Sequence, residues 1–455
     1  MKEFRMRMKA TPLALATALA LSCPSAFAAD LMQSYTQARQ SDPTLSISES
    51  QNSIAKENVV QSRANLLPQL SGTVSVNRNE NGGTLNNGDT FDSSSSSRNT
   101  NLSLSQNLFD WSVYTRLSGS KARALQSDAE LDSANDALIT RVAEAYFNVL
   151  TAIDALAASR AEERAVKRQL DQAEKRLEVG LAPITDVHEA RARYDSSRAN
   201  TILAGNALND AREALAEITG QPAEGLKGLP DNFQPKGEAL RGTEEWVQEA
   251  LRTNPTVKAR ELALAAAEDD IASARAAHLP TLGATISKGD STLISGAAGP
   301  FSTTDSNSTT YGVQLRVPIF SGFATQSRVK QAVASRDIAA EQLEQTKRAV
   351  TRQVRNAERT LVAGLAEVEA RRLAVVSAKS ALEAGEVGLE VGTRTIVDVL
   401  LAQQQLFTAT REYSRARHNY LVNTLKLKQA AGSLELGDME SINALLSFDA
   451  ESKIQ

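Results

Sequence analysis

Leu177-Glu178-Val179-Gly180 recurs without change as Leu389-Glu390-Val391-Gly392, 212 residues further on. At the same separation Asp186-Val187 returns as Asp398-Val399, Ala190 as Ala402 and Gly220 as Gly432. Nearer the N-terminus Asp42-Pro43-Thr44 returns as Asn254-Pro255-Thr256, Arg63-Ala64 as Arg275-Ala276 and Leu67-Pro68 as Leu279-Pro280. One residue slips in between, since Leu108-Phe109 matches Ile319-Phe320. Self-similarity at a fixed period marks a duplicated architecture. It divides the chain into a first repeat, 29–220, and a second, 241–432. Between them lies a linker, 221–240, punctuated by Pro222, Pro230 and Pro235, and after them a C-terminal segment, 433–455.

Working outward from the repeated stretch, no proline lies between Pro68 and Pro183 and none follows Pro318. The stretches 112–178 and 323–387 can therefore run as unbroken helices. Ile139, Val142, Tyr146, Val149, Ile153 and Leu156 keep a 3-4 spacing in the first. In the second, Val350, Val354, Ala357, Leu361 and Val368 hold the same seam, which is coiled-coil periodicity. Helices of that size are roughly 100 Å long, about three times the hydrocarbon thickness of a bilayer. Each ends near a glycine suited to C′, Gly180 or Gly392, and another helix follows, giving helical hairpins over 112–219 and 323–431.

Upstream of each hairpin the period changes to two. Leu70, Gly72, Val74 and Val76 alternate with Ser71, Thr73, Ser75 and Asn77, and Leu102 and Leu104 with Asn101, Ser103 and Ser105. In the second repeat Leu282, Ala284 and Ile286 alternate with Gly283, Thr285 and Ser287. Tyr311, Val313, Leu315 and Val317 do so with Gly312, Gln314 and Arg316. These patterns predict half-buried strands at about 69–78, 99–109, 281–288 and 310–320. The Ser-, Gly-, Asn- and Asp-rich stretches 78–98 and 288–309 read as polar loops.

Alternation alone suits a soluble hairpin packed on a helical bundle. Export, only four strands split between two distant hairpins, and small polar residues on the second face suit a membrane barrel instead. Phe109, Trp111, Phe320 and Phe323 collect at the strand bases as an interfacial girdle would. Four strands cannot close, and an open edge cannot face lipid. Two copies would supply eight strands and a filled interior, three would supply twelve and a lumen; three suits a conduit better.

Export is read from the start of the chain. Lys2, Arg5, Arg7 and Lys9 precede a short apolar stretch, Pro12 to Leu21, and Ala26-Phe27-Ala28, so residues 1–28 read as a signal peptide cut before Ala29. The single cysteine, Cys23, leaves with it, and the mature chain has no thiol for a disulfide or a thiolate site. Cleavage at Cys23 as a lipoprotein is the alternative, though Ala20-Leu21-Ser22 makes a poor lipobox. Composition agrees with a folded chain: 455 residues are 42% hydrophobic, and 50 basic against 54 acidic residues leave no basic face for nucleic acid. No apolar run after the signal is long enough for a membrane helix.

Further motifs carry a resemblance. Val391-Gly392-Thr393-Arg394-Thr395-Ile396-Val397-Asp398-Val399-Leu400 is the most telling, with Ala416-Arg417-His418-Asn419-Tyr420-Leu421 beyond it. In the first repeat they are Tyr146-Phe147-Asn148-Val149-Leu150, Ala152-Ile153-Asp154, Gln169-Leu170-Asp171-Gln172 and Ile184-Thr185-Asp186-Val187. Over nearly all of 29–445 the chain resembles the TolC-type outer-membrane channels, the outer membrane efflux protein family. The resemblance implies a mostly helical, internally duplicated α+β chain. It also implies a homotrimer in the outer membrane, with a twelve-stranded β-barrel continued by a twelve-helix α-barrel through the periplasm. Its implied function is a passive exit duct for tripartite drug efflux and type I protein secretion, partnered by a periplasmic adaptor and an inner-membrane pump, with outer-membrane lipid around it and no cofactor.

The same resemblance implies a gate at the periplasmic end, closed by polar links and lined by acidic rings. Carried over, Arg394 links to Thr185 and Asp186, and Asp398 supplies an acidic ring. Two departures stand out: the second ring aspartate is Leu401, and the tyrosine that reaches for the first hairpin is Leu389. A single ring and a weaker latch are therefore expected, with Glu189, the repeat mate of Leu401, as a possible second acidic position on the other hairpin. Without the resemblance these residues have a plainer reading. Thr395 to Asp398 fits a helix-capping pattern, and Asp186 lies three residues after Pro183, where an acid favours a helix N-terminus.

Catalytic chemistry has little to stand on. His188, His278 and His418 lack metal-ligand spacing, and neither a phosphate-binding loop nor a Gly-x-Ser-x-Gly elbow occurs, so no enzyme is expected. The competing class is a periplasmic coiled-coil adaptor or structural protein, which leaves the four strands without a use.

Overall fold

The computed structural model describes residues 30–230, 233–235, 242–296 and 305–454. The expected signal peptide with Cys23, part of the linker, and part of the second polar loop lie outside these residues. The first repeat runs α1 (Leu31–Ser41), α2 (Pro43–Ala64), β1 (Gln69–Thr84), β2 (Thr90–Phe109), α3 (Trp111–Glu178) and α4 (Ile184–Thr219), followed by a short strand β3 (Lys227–Gly228). The second runs α5 (Thr243–Thr253), α6 (Pro255–Ala276), β4 (Thr281–Ser295), β5 (Asp305–Arg316), α7 (Ala324–Glu390) and α8 (Ile396–Ala431). After it come α9 (Leu436–Asn443) and β6 (Phe448–Asp449).

Local chemistry explains the helix boundaries. Asp42 and Asn254 cap α2 and α6, each followed by proline at the first helical position, where a missing N–H costs nothing. The mates then diverge. Buried Asp42 takes the N–H of Leu45 and a salt bridge from Arg141 at 2.6 Å, whereas the Asn254 amide donates to the Ala430 carbonyl at 2.9 Å. Helices α3 and α7 have 68 and 67 residues, roughly 100 Å each, and stop at the left-handed glycines 180 and 392. The seam from Ile139 to Leu156 is buried throughout, as are Val350, Val354, Leu361 and Val368. Away from that seam α7 leaves Val362, Leu373, Val376 and Val387 exposed, an apolar stripe that one copy of the chain does not cover.

The long strands form one antiparallel sheet in the order β1-β2-β4-β5. Pairing places Leu70, Leu104, Ile286 and Tyr311 in one row and Ser71, Ser103, Ser287 and Thr310 in the next, so the apolar and polar faces run across both repeats. Strands β1 and β5 each pair on one side only. The expected loops need correction, because β1 continues to Thr84 and β2 begins at Thr90, while β4 reaches Ser295 and β5 starts at Asp305. Pairs such as Asn81↔Ser93 and Asn79↔Ser95 satisfy the backbone without apolar side chains, so a polar stretch here is regular strand. What remains of the first loop is a tight turn in which Leu85 N–H donates to Asp89 O at 2.7 Å.

The linker also differs from a free spacer. Ala223, Leu226 and Leu229 are buried, and Lys227–Gly228 pairs with Phe448–Asp449. Tyr146 donates to the Lys227 carbonyl at 2.8 Å, and Arg417 to that of Pro230 at 3.0 Å. Together with Met439, Ile442, Leu446 and Ala450 these residues form a collar docked on the middle of α3 and α8.

Gly220 and Gly432 end α4 and α8 with φ 68° and 69°, and the chain of the short helices passes close beside them. A Cβ on Gly432 would lie 2.5 Å from Asn254 Cα. Gly432→Ala is expected to cost about 1–3 kcal/mol in overpacking on top of about 1–2 kcal/mol for the left-handed backbone. Gly180→Ala, at φ 75° with open space around it, should show only the backbone part. Equal losses of Tm in the two variants would show that the close approach does not matter.

Candidate functional site at the hairpin tips

The tips are two turns, residues 179–183 and 391–395, in which each long helix reverses into the next. In the second, the Gly388 carbonyl accepts from Thr393 N–H at 2.8 Å, Arg394 N–H at 3.1 Å and the Thr393 hydroxyl at 3.2 Å. A Cβ on Gly388 would lie 2.6 Å from Arg394 Cγ, so only glycine lets the arginine stem cross the last turn of α7. The repeat mate of Gly388 is Arg176, and the first tip carries no such crossing arginine. That single asymmetry between the repeats was the available signal for Gly388.

Thr395 and Asp398 form a capping box. Asp398 N–H donates to Thr395 Oγ1 at 3.3 Å, and Thr395 N–H to Asp398 Oδ2 at 2.9 Å. Hydrogen bonds from the Thr395 backbone and side chain, then the charge of Arg394, hold the Asp398 carboxyl below its ordinary value. The plain capping reading is thus present in the structure, and the carboxylate stays charged beside Arg394. Asp186 sits in the first turn of α4. Within one copy, among the described residues, no hydrogen bond or ion pair joins Arg394 to Thr185 or Asp186.

Nearest the tips the hairpins meet through an apolar cluster. Val166, Leu170 and Ala173 of α3, Val187 and Ala190 of α4, and Ile396 and Leu400 of α8 form one buried cluster, with Leu177, Tyr194, Leu389 and Val397 packed against it. Leu389 therefore gives the tip an apolar contact. Leu401 remains 41% exposed, outside the cluster. Glu189 lies 3.7 Å from Arg193 one turn on, and Arg193 Nη1 donates to Gln404 Oε1 at 3.3 Å, from α4 to α8. Neither Arg193 nor Gln404 is distinguished by any sequence pattern, since a cross-helix contact leaves no local periodicity.

A second polar cluster lies at mid-height. Asp154 on α3 accepts from Lys453 at 2.9 Å and from Ser414, with His418 Nε2 at 4.0 Å. Thr151 Oγ1 lies 2.9 Å from His418 Nδ1, and the Phe147 ring packs on the imidazole. Burial drives the His418 pKa down to about 4. Burial also pushes Asp154 up, but His418, Lys453 and Ser414 bring it below its ordinary value. Because His418 is uncharged near neutral pH, Lys453 and Ser414 keep Asp154 ionised there. Among the described residues no group of three His, Cys, Asp or Glu side chains is placed to hold a metal ion.

Comparison with known proteins bears on this geometry directly. Residues 34–221 and 246–433 each match the outer membrane efflux protein family. The chain is 37% identical over 436 residues to the outer membrane protein TolC of Vibrio cholerae, spanning 96% of this chain and 98% of that one. To TolC of Escherichia coli it is 38% identical over 430 residues, 92% and 85% of the two chains. To the alkaline protease secretion protein AprF of Pseudomonas aeruginosa it is 30% identical over 429 residues, 92% and 88%. Its fold is that of CusC, with TM-score 0.75 at 21% identity over 89% of this chain and 92% of that one. The Campylobacter jejuni CmeC outer membrane channel matches with TM-score 0.74 at 18% identity over 92% and 90%. The two matched segments coincide with the two repeats and carry both helical hairpins and the sheet, and the chain belongs to the outer membrane efflux protein family.

Proposed function

We infer that three copies of this chain form a duct that crosses the outer membrane as a twelve-stranded barrel and continues as a twelve-helix tube into the periplasm. The observation that carries this reading is the four-stranded sheet with one apolar face and two unpaired edges. Such a sheet is untenable in lipid until its edges meet those of other copies, and four strands each from three copies leave a lumen. The uncovered stripe on α7 supports close neighbours along the helices too. As its relatives' names describe efflux and protease secretion, the duct serves efflux and the secretion of proteins. Exposed Val179, Leu181, Ile184, Val387 and Val391 at the tips offer an apolar surface to a periplasmic adaptor, behind which an inner-membrane pump would supply the energy. Residues 1–28 direct export, and the duct is a conduit rather than an enzyme.

Asn86 in the β1–β2 turn should face the cell exterior. In the mature chain, free of thiols once Cys23 is removed with the signal, Asn86→Cys should react with an impermeant maleimide on intact cells. Labelling confined to permeabilised cells would overturn the topology, and a detergent-solubilised monomer would overturn the trimer.

Closure at the helical tips completes the reading. Three copies of Asp398 around a narrow entrance would favour multivalent cations, since like charges at close quarters gain from a shared counter-ion. Arg394 would reach Thr185 and Asp186 of an adjoining copy by charge-assisted hydrogen bonds. Asp398→Asn keeps an acceptor for the Thr395 N–H, so it should weaken block by divalent cations added from the periplasmic side without unfolding α8. Arg394→Ser should raise conductance. Unchanged block in an intact Asp398→Asn trimer would leave Asp398 with capping alone.

A further inference from the structure

Resting on the reading of the tips as a gate, we propose that Arg193 is the pin of the closed state, donating to Gln404 while it faces Glu189 when the two hairpins of one copy are together, and keeping Glu189 alone when they part. The bond at 3.3 Å from Arg193 Nη1 to Gln404 Oε1 runs from α4 to α8, so it breaks if the hairpins separate. Its acceptor is a neutral amide, which holds a guanidinium less firmly than a carboxylate does. The carboxylate is already in place: Glu189 lies one turn before Arg193 on the same helix, 3.7 Å away, and moves with it. Opening therefore leaves Arg193 paired, and the polar cost of release at the pin is confined to its bond with Gln404.

The apolar cluster of Val187, Ala190, Ile396 and Leu400, with Leu389 against it, adds to the closing contact at the tips, and Arg411 donates to Glu162 at 3.0 Å from α8 to α3 further along the hairpins. Within α8 one residue works against it. Gln403 is 6% exposed and its Oε1 has no hydrogen-bond partner, so packing at this level buries an acceptor that water would otherwise satisfy. Its side chain lies one residue before the pin's acceptor and one turn after Leu400. The cluster and the pin favour closure and the orphaned amide opposes it, which leaves the equilibrium within reach of a partner's binding energy. The mates of Glu189, Arg191 and Arg193 are Leu401, Gln403 and Gln405, so the face that is charged on α4 is neutral on α8.

The test is single-channel recording of full-length trimers in planar bilayers. Gln404→Leu removes the acceptor without altering any charge, and Arg193→Ala removes the donor. Each should shift the open-to-closed ratio by about two- to fivefold per copy toward open, and the double variant should do no more than either alone, as for one shared partly exposed contact. Gln403→Leu replaces the orphaned amide with an apolar side chain of similar size and should shift the ratio toward closed. A rise with Arg193→Ala but none with Gln404→Leu would assign the effect to tip charge and overturn the pin. Opening by Gln403→Leu would overturn the opposing role of the amide. If Arg394→Ser opens the channel while Arg193→Ala and Gln404→Leu leave it at the wild-type level, the pin fails and the gate stands. If none of these variants, Asp398→Asn included, alters conductance or cation block in an intact trimer, the gate reading itself fails.

Discussion

Val313→Arg is expected to abolish insertion of stable trimers while Gln314→Arg, one residue on, leaves them intact. Val313 pairs with Ala284 on the apolar face of the sheet, and Gln314 pairs with Gly283 on the polar one. Val313 lies six residues from Ile319, where Phe320 and Phe323 pack edge to face beyond the base of β5. At the rise and tilt of a barrel strand that is roughly 15 Å up, near the middle of an apolar band of about 25 Å. An arginine there costs about 2–4 kcal/mol, and a trimer would carry three. Measured as heat-modifiable trimer in outer-membrane fractions, loss should be nearly complete for Val313→Arg. Equal damage at both positions would mean that the alternation is not that of a lipid-facing strand.

Strands of this kind were legible only where one face is apolar. The alternation from Leu70 to Asn77 and from Tyr311 to Val317 fixed their lower parts. Above Val76 every paired residue except Phe91 is polar, charged or glycine, on both faces, and nothing in one strand's composition states that its backbone will find a partner across the ladder. The linker was obscured for the opposite reason. Its three prolines suggested a spacer, whereas Ala223, Leu226 and Leu229 are the residues that dock it. The duplication was the most legible feature, because matching Leu177–Gly180 to Leu389–Gly392 needs no structural knowledge.

At the tip, the positions of the motif residues along the chain are visible in the sequence and their contacts are not. Arg394 lies in the second tip turn, Thr185, Asp186 and Asp398 in the first turns of the helices that follow, and Glu189 one turn further along α4. Motif comparison finds such positions because it compares residue with residue. It gave no sign that Leu389 would enter an apolar cluster, or that Arg193 would reach α8, because those depend on how two hairpins separated by some 200 residues are laid together.

The mid-height cluster leads to an acid sensitivity that can be dissected by sign. His418 has its folded pKa near 4, below the 6.5 of an unfolded histidine. As pH falls through that window the unfolded chain takes the proton first, so the stability contributed by neutral His418 is fully present above 6.5 and lost by about 4. The size is about 3 kcal/mol per copy. Asp154, held below its ordinary value, adds a loss that begins as pH falls through the ordinary carboxylate value and is complete below its folded one. Asp136 acts in the opposite direction. Burial, then the charge of Asp132, raises its pKa to about 6, so the folded chain gains its proton first and is relieved of a buried charge as pH falls. Because Asp136 is only half-buried, water screens part of that relief, and His418 should prevail. The thermal stability of the trimer should therefore fall between pH 6.5 and 4. His418→Leu should lower it at pH 7, since Thr151 loses a partner, yet flatten the slope. Asp136→Asn should steepen the slope by removing the compensating term. A His418→Leu variant as acid-sensitive as the parent would show that the imidazole already exchanges protons with water through the collar, and that Asp154 and Lys453 do not seal it.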